Sequence, residues 1–399
     1  MIQVSDQKIN APEEKVACLL GECATTVWGL TQNERMSRAL ARVGISRVVD
    51  VEDLDGLDGT TAVVLVRLDY AFEERVMVDL EAADAVVLTV ESENGSVPVA
   101  ASVASAYAAK VARAILDATS VDSAGLPVDV AVVDPVGLSS AYNEQLRKRE
   151  APYVLHVNDA SVDAIERRMF GGAYKGVTDF VTKYVWPSPA RIVTKWCAVR
   201  GIRPNTVTTL SAVLVLLAMW AFVRGAFGIG LLAAWGMCFL DTVDGKLARV
   251  TLTSSPWGNV FDHGIDLIHP PFWYWAWWSG LAYGGVAGTV PWLTESLWII
   301  VVGYVVGRLM EGFFIAAFGL EIHAWRPVDS FFRLITSRRN PNLAILSLFV
   351  LLGRPAEGFV AVALWTILSL GFHAVRIGQA LWGRARGRAP YSWLSAPVR

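Results

Sequence analysis

Charge is scarce in this 399-residue chain: Asp, Glu, Lys and Arg make up 18% of it, against about 25% in ordinary soluble domains. Cysteine is scarcer. Cys18, Cys23, Cys197 and Cys238 are too few and too scattered for a disulfide framework. The pair Cys18 and Cys23 has no second pair or nearby His to complete a zinc site. A basic excess is also missing. The formal net charge of -2 excludes the electrostatic footprint of a nucleic-acid-binding protein, so no nucleic acid is expected as a partner. Residues 1–10 are polar and lack the apolar stretch of a secretory signal, so the first half is expected to stay in the cytoplasm. With 54% hydrophobic residues the chain is not disordered, and a purely soluble enzyme fits poorly.

What is present is divided. Residues 1–165 hold 13 Lys and Arg against 26 Asp and Glu, a balance of -13. Residues 166–399 hold 22 against 11, a balance of +11, and 15 of the 16 Trp. An acidic soluble half precedes a basic, Trp-rich, apolar half that reads as membrane.

In the first half, β-branched runs at 16–20, 47–51, 62–68, 85–90, 128–133 and 153–157 read as buried strands of a parallel sheet. Between them, Thr31-x-x-Glu34 is a capping box that opens a helix ending at Gly44. Ala101 to Ala118 reads as an Ala-rich helix. The expected domain is a cytoplasmic α/β (Rossmann-like) layer over 1–165. Residues 166–203 would be a linker followed by an amphipathic helix at the membrane surface, with Arg191, Lys195 and Arg200 opposite Ile192, Val193 and Trp196.

From Thr206 six apolar stretches follow, near 206–223, 227–248, 258–281, 291–318, 342–353 and 357–381. Basic residues gather before the first, between the second and third, between the fourth and fifth, and after the sixth. The opposite connections carry only Arg224 and Arg354. The positive-inside rule therefore predicts a multi-pass α-helical membrane domain with six transmembrane helices over 204–385. Both termini would be cytoplasmic, 386–399 would be a tail, and the inner or plasma membrane would be the location.

Carboxylates do not belong at membrane depth, where each costs about 2.5–3.5 kcal/mol on insertion scales and marks a function by default. Four occur together: Asp241, Asp244, Asp262 and Asp266. The i,i+3 and i,i+4 spacings put each pair on one helical face, and the short connection makes the two helices antiparallel neighbours. Such a cluster needs cations to neutralise it, and hard oxygen ligands suit Mg²⁺, Mn²⁺ or Ca²⁺. Gly245, Ala248 and Gly258 remove side chains where a nucleotide or phosphate needs close backbone approach. A purely structural ion cluster would explain one such Asp, but not this interleaving. His263 and His269 flank the pattern and read as packing residues.

The full pattern is Asp241-x2-Asp244-Gly245-x2-Ala248-Arg249-x8-Gly258-x3-Asp262-x3-Asp266. It resembles, at all eight positions, the signature of the CDP-alcohol phosphotransferases, also called CDP-alcohol phosphatidyltransferases. Pro204-Asn205-x-Val207-Thr208 resembles the family's lead-in, and the similarity covers about residues 188–385. The resemblance implies an integral-membrane transferase of phospholipid biosynthesis. A CDP-linked donor passes its substituted phosphate to a lipid or polar alcohol acceptor, and CMP leaves. It implies a two-cation site for Mg²⁺ or Mn²⁺ on Asp241, Asp244 and Asp262, with Asp266 at its edge as general base and further metal-site carboxylate. It also implies donor contacts at Asn205, Thr208, Gly245, Ala248, Arg249 and Gly258. Candidate acceptor residues are Arg308, Arg326, Arg338, Arg339 and Arg376, against the plainer reading of these as charge facing anionic membrane lipid. Homodimerisation is left open.

The first domain resembles sugar-phosphate nucleotidyltransferases through Thr31–Gly44 and the segment Leu68-Asp69-Tyr70-Ala71-Phe72. In place of a Gly-rich phosphate loop, however, it reads Gly21-Glu22-Cys23-Ala24-Thr25-Thr26. A degenerate regulatory or scaffolding domain is expected, with a bifunctional cytidylyltransferase as the alternative. A carboxylate-based cation transporter is the rival from another class; it requires acidic residues spread over several spans.

Overall fold

The computed structural model describes residues 15–59, 61–92, 95–117, 130–285 and 290–395, the side chain of Asn259 excepted. The chain forms two compact units. The first runs to Ala141 and resumes over Glu150–Met169; the second comprises Tyr142–Arg149 and everything from Phe170.

In the first unit the strands are β1 (Val16–Leu20), β2 (Val48–Val49), β3 (Ala62–Arg67), β4 (Tyr70–Phe72), β5 (Val86–Ser92), β6 (Gly95–Ala104) and β7 (Ala131–Val133). Residues 128 and 129 of the expected strand lie outside the described residues. The helices are α1 (Gln32–Arg42), α2 (Glu74–Ala82), α3 (Ser105–Leu116) and the single turn α4 (Pro135–Leu138). The capping box forms as its residues require: Thr31 Oγ1 accepts from the Glu34 amide at 3.2 Å, and Glu34 Oε2 from the Thr31 amide at 3.1 Å.

The main sheet has the order β2-β1-β3-β6-β5-β7 and corrects the expectation of an all-parallel sheet. β6 pairs antiparallel with both β3 and β5. β5 and β6 are only two residues apart, too few for the crossover that parallel pairing needs. β6 also takes residues 101–104 from the expected Ala-rich helix, which starts instead at Ser105. Both faces of the sheet are covered. Val64 and Val66 of β3 pack with Met36, Leu40, Met77 and Leu80, while Val63 and Leu65 pack with Ala108, Val111 and Ile115. That two-sided burial is why the strands read as unbroken apolar runs. The expected strand near Val157 is outside this sheet: β10 (Val154–His156) pairs antiparallel with β4.

The second unit contains the hairpin β8 (Tyr142–Asn143) and β9 (Lys148–Arg149), the end of α5 (Val162–Gly172), and the helices α6 (Pro187–Val199) and α7 (Pro204–Val223). There follow α8 (Phe227–Val250), α9 (Pro256–Tyr283), α10 (Leu293–Phe318), α11 (Pro327–Phe332), α12 (Arg339–Leu351) and α13 (Pro355–Ala385). Proline opens α6, α7, α9, α11 and α13, where its missing N–H costs no hydrogen bond. α6 lies where the interfacial helix was expected, and it exposes Ile192, Trp196 and Val199.

Each of the six expected spans coincides with a helix. Among the described residues four are long and apolar enough to cross a membrane: α7, α8, α10 and α13. α12 has 13 residues, which at ~1.5 Å per residue is shorter than a hydrocarbon core. α9 carries Asp262, Asp266 and the pair Pro270-Pro271. The helices share a core around Phe222, Trp273, Trp277 and Phe359, while Leu216, Leu232 and Leu309 stay exposed on their outer faces.

Candidate functional site

The end of α8 and the start of α9 are joined by five residues, so the acidic turns of the two helices face each other. Carboxylate oxygens of Asp241, Asp244 and Asp262 lie within 4.8 Å of one another. Asp244 is buried. Thr208 Oγ1, from the second turn of α7, donates to Asp244 Oδ2 at 2.6 Å, while Oδ1 has no hydrogen-bond partner. A buried acceptor without a donor, set among two further carboxylates, is the donor set of a hard divalent cation such as Mg²⁺ or Mn²⁺. Asp266, one turn beyond Asp262, stands apart from this trio. The guanidinium of Arg339, at the start of α12, bridges it to Asp241.

The small residues mark close approaches. A Cβ on Gly258 would stand 2.9 Å from Asn205 Oδ1 and 3.0 Å from Ser255 Oγ, the oxygen that caps α9. At Gly245 a Cβ would meet only Arg249 Nη1 at 3.8 Å, so the missing side chain leaves open space. Arg249 Nη1 donates to the Ala173 carbonyl at 3.2 Å and ties the linker to the end of α8. Ala248 is half-buried, and its carbonyl accepts from the Thr253 amide at 2.9 Å where the chain turns toward α9.

Asp241, Asp262, Asp266 and Gly245 line a cavity of about 530 Å³. Arg308, Arg338 and Arg339 line it too. Arg308 and Arg338 both pair with Glu311. Arg326 and Arg376 do not reach it. Arg376 is buried against Asp329, with Nε–Oδ1 of 2.5 Å and Nη2–Oδ2 of 2.8 Å, and its guanidinium stacks over Trp325. Arg326 stacks over the same indole. An internal bidentate pair and an aromatic face take these two charges, which charge count alone could not foresee. His269 packs on Trp273, its Nδ1 2.7 Å from the Ile265 carbonyl, as a packing histidine should. His263 lines the cavity, with Nδ1 3.8 Å from Asp262 Oδ2.

Sequence reasoning missed Arg147, Lys175, Lys246 and Asp179 on the cavity wall, which Arg333 of the arginine-rich cluster at the ends of the last helices also lines. Lys246 lies 3.9 Å from the centre of the Tyr174 ring. Burial, reinforced by Arg147, Arg249 and Arg333, lowers Lys175 to about 8. Burial and Arg338 lower Arg333 to about 9. Burial raises Asp179, but Arg333 and hydrogen bonds from Thr182 and Asn340 outweigh it, leaving the carboxyl below its ordinary value. No periodicity or spacing flags these residues; only their convergence does.

The fold and site define a membrane-helical protein with a clustered-carboxylate centre at the ends of two helices. Residues 202–373 match the model of the CDP-alcohol phosphatidyltransferase family. The chain is 28% identical over 135 residues to cholinephosphotransferase 1 of Gallus gallus, covering 31% of this chain and 39% of that protein. It is 36% identical over 91 residues to cholinephosphotransferase 1 of Homo sapiens, covering 22% and 21%. With archaetidylinositol phosphate synthase of Pyrococcus horikoshii it shares 36% identity over 81 residues, covering 20% and 43%. The chain thus spans less than half the length of these relatives.

Proposed function

We propose that the protein transfers a substituted phosphate from a CDP-linked donor to an alcohol, releasing CMP, in phospholipid biosynthesis. The observation that carries this reading is the trio Asp241, Asp244 and Asp262 with oxygens within 4.8 Å, beside a cavity lined by Gly245 and a wall of cations. Phosphoryl-type transfer is mostly positioning and charge neutralisation, and these are what the residues offer. Asp241, Asp244 and Asp262 hold the divalent cations, which when bound neutralise the diphosphate and the leaving oxygen. Thr208 orients Asp244, Gly245 leaves room for the nucleotide, and Asn205 fits against Gly258. Asp266 accepts the proton of the acceptor hydroxyl, and Arg339 sets its orientation.

In this reading α9 and α12 complete six spans, both termini are cytoplasmic, and the carboxylates sit at the membrane boundary. A lipid then enters sideways while the nucleotide stays in water. Transport by intramembrane carboxylates is disfavoured, because the four acids occupy one helical hairpin. A cytidylyltransferase in the first unit is disfavoured by Asp69, the candidate metal ligand there, which Arg67 holds through two nitrogens at 2.8 and 2.5 Å.

Purified protein in detergent, given labelled CDP-diacylglycerol or CDP-choline with alcohol acceptors, is expected to release CMP with Mg²⁺ or Mn²⁺. Excess chelator should stop it. Undiminished release in metal-free chelator would remove the cation from the reading; no release with any donor and metal would remove the activity.

A further inference from the structure

A further cavity, of about 960 Å³, lies away from the carboxylates at the C-terminal end of α13. Arg326, Arg386 and Arg388 line it, and among the described residues no acidic side chain does. In the carboxylate cavity, by contrast, Arg308 and Arg338 meet Glu311, and Arg339 meets Asp241 and Asp266. Asp329, three residues from Arg326, is buried and held by Arg376. Arg326 and Arg386 sit instead over indoles, 4.5 Å from the Trp325 ring centre and 4.3 Å from the Trp382 ring centre. An aromatic face steadies a guanidinium without using up its N–H donors, which stay available to oxygen acceptors.

The far wall is fixed in place. Past α13 the chain turns at Gly387, φ +74°, with the Arg388 amide on the Gly383 carbonyl at 2.9 Å. It then returns against the segment around α11: Ser392 Oγ donates to the Ala324 carbonyl at 3.0 Å, Trp393 Nε1 donates to Ser330 Oγ at 2.9 Å, and Leu394 is buried. Tyr391 and Trp393 thereby join Trp382 on the cavity wall. An apolar track leads in. Leu364, Leu368, Gly371, Val375, Gly378 and Trp382 are spaced four and three residues apart, so they share one face of α13, and all six are exposed. The last three of them line the cavity. A Cβ on Gly371 or Gly378 would meet nothing within 4 Å, so the track is open at both. α13 is long and apolar enough to cross a membrane, which puts the track along lipid and Trp382 at its end, where interfacial aromatics collect.

We propose that this cavity holds the headgroup of an anionic glycerophospholipid, with its phosphodiester among Arg326, Arg386 and Arg388 and an acyl chain along the Leu364–Trp382 face of α13. The site is separate from the carboxylate cavity and does not depend on the CDP-donor reading. Phosphodiester oxygens accept from guanidinium forks, and basic pockets at the ends of spans recognise anionic headgroups. A free phosphate would use the arginines but leave the track uncovered. A zwitterionic lipid would bring a cation among three arginines with no acid to receive it. Arg326 precedes α11, Arg386 ends α13 and Arg388 begins the returning tail, so one headgroup ties the tail to the bundle.

The test is native mass spectrometry of the full chain in detergent, titrated with phosphatidylglycerol and with phosphatidylcholine. Wild type is expected to bind phosphatidylglycerol saturably and in preference to phosphatidylcholine. Arg326→Ala, Arg386→Ala and Arg388→Ala, all at exposed positions, should each weaken phosphatidylglycerol about fivefold. Arg384→Ala separates a site from diffuse surface charge. Arg384 is close by in the chain but outside the cavity, donating to the Ala317 carbonyl at 2.7 Å. Diffuse attraction predicts the same loss as Arg386→Ala, whereas a site predicts a change within about twofold. Gly378→Leu keeps every arginine and fills the track, so it should weaken phosphatidylglycerol too. Excess glycerol 3-phosphate, which carries the charge without acyl chains, should not displace the lipid. The proposal fails if the two lipids bind equally, if the three arginine variants bind as wild type does, or if Arg384→Ala loses as much as Arg386→Ala. It fails equally if Gly378→Leu binds normally or if glycerol 3-phosphate displaces the lipid.

Discussion

At the scale of single residues, four aspartates written as one motif have two kinds of surroundings. Asp244 is buried against Thr208, and with Asp241 and Asp262 it forms the metal-competent trio; Asp266 stands on Arg339. The two kinds should fail differently. In the proposed reading Asp241→Asn removes a cation ligand, and it is expected to weaken CDP-donor binding. Asp266→Asn is expected to spare donor binding and lower single-turnover CMP release by about 10²–10⁴, since proton acceptance matters only as the new bond forms. Both are measured on variants shown to be monodisperse. Near-normal turnover of Asp266→Asn, or donor binding as poor as in Asp241→Asn, would take the base role from Asp266.

At the scale of elements, the carboxylates are positioned by how closely α7, α8 and α9 pack. α7 and α9 approach closely at Gly280, where a Cβ would lie 2.0 Å from the Phe222 carbonyl oxygen. Backbone cannot yield as a side-chain tip does, so Gly280→Ala should spread the helices and cost about 1–3 kcal/mol. Thermal unfolding in detergent should report it as a lower midpoint, and an unchanged midpoint would show that the crossing is looser than drawn. α12 is short by membrane standards, yet its first residue, Arg339, is the one that reaches the carboxylates. Its position, more than its length, serves the site.

At the scale of the whole molecule, the first unit has the sheet of an α/β domain, its β1 is followed by Gly21-Glu22-Cys23-Ala24 rather than a Gly-rich phosphate loop, and its Asp69 is paired with Arg67. The full chain given CTP, Mg²⁺ and a phosphorylated alcohol is therefore expected to release no pyrophosphate and form no CDP product. CTP-dependent product would make the protein bifunctional. What the sequence determined by itself was local. The Thr31–Glu34 capping box, the prolines that open helices and the i,i+3 and i,i+4 pairing of the aspartates depend on residues within one or two turns, where backbone geometry leaves little choice. The composition shift near residue 165 also announced two environments, because lipid and water select different side chains. Only the tertiary structure decided the rest. β6 turned the sheet mixed because the two residues after β5 allow only antiparallel pairing, and its Ala- and Val-rich run, which suits helix and buried strand alike, did not announce it. Residues 142–149 left the acidic half to join the second unit. Arg339 met Asp241 across 98 positions of sequence, while Arg376 was taken by Asp329. Which cation finds which carboxylate is a matter of packing between distant elements, and neither charge count nor spacing encodes it.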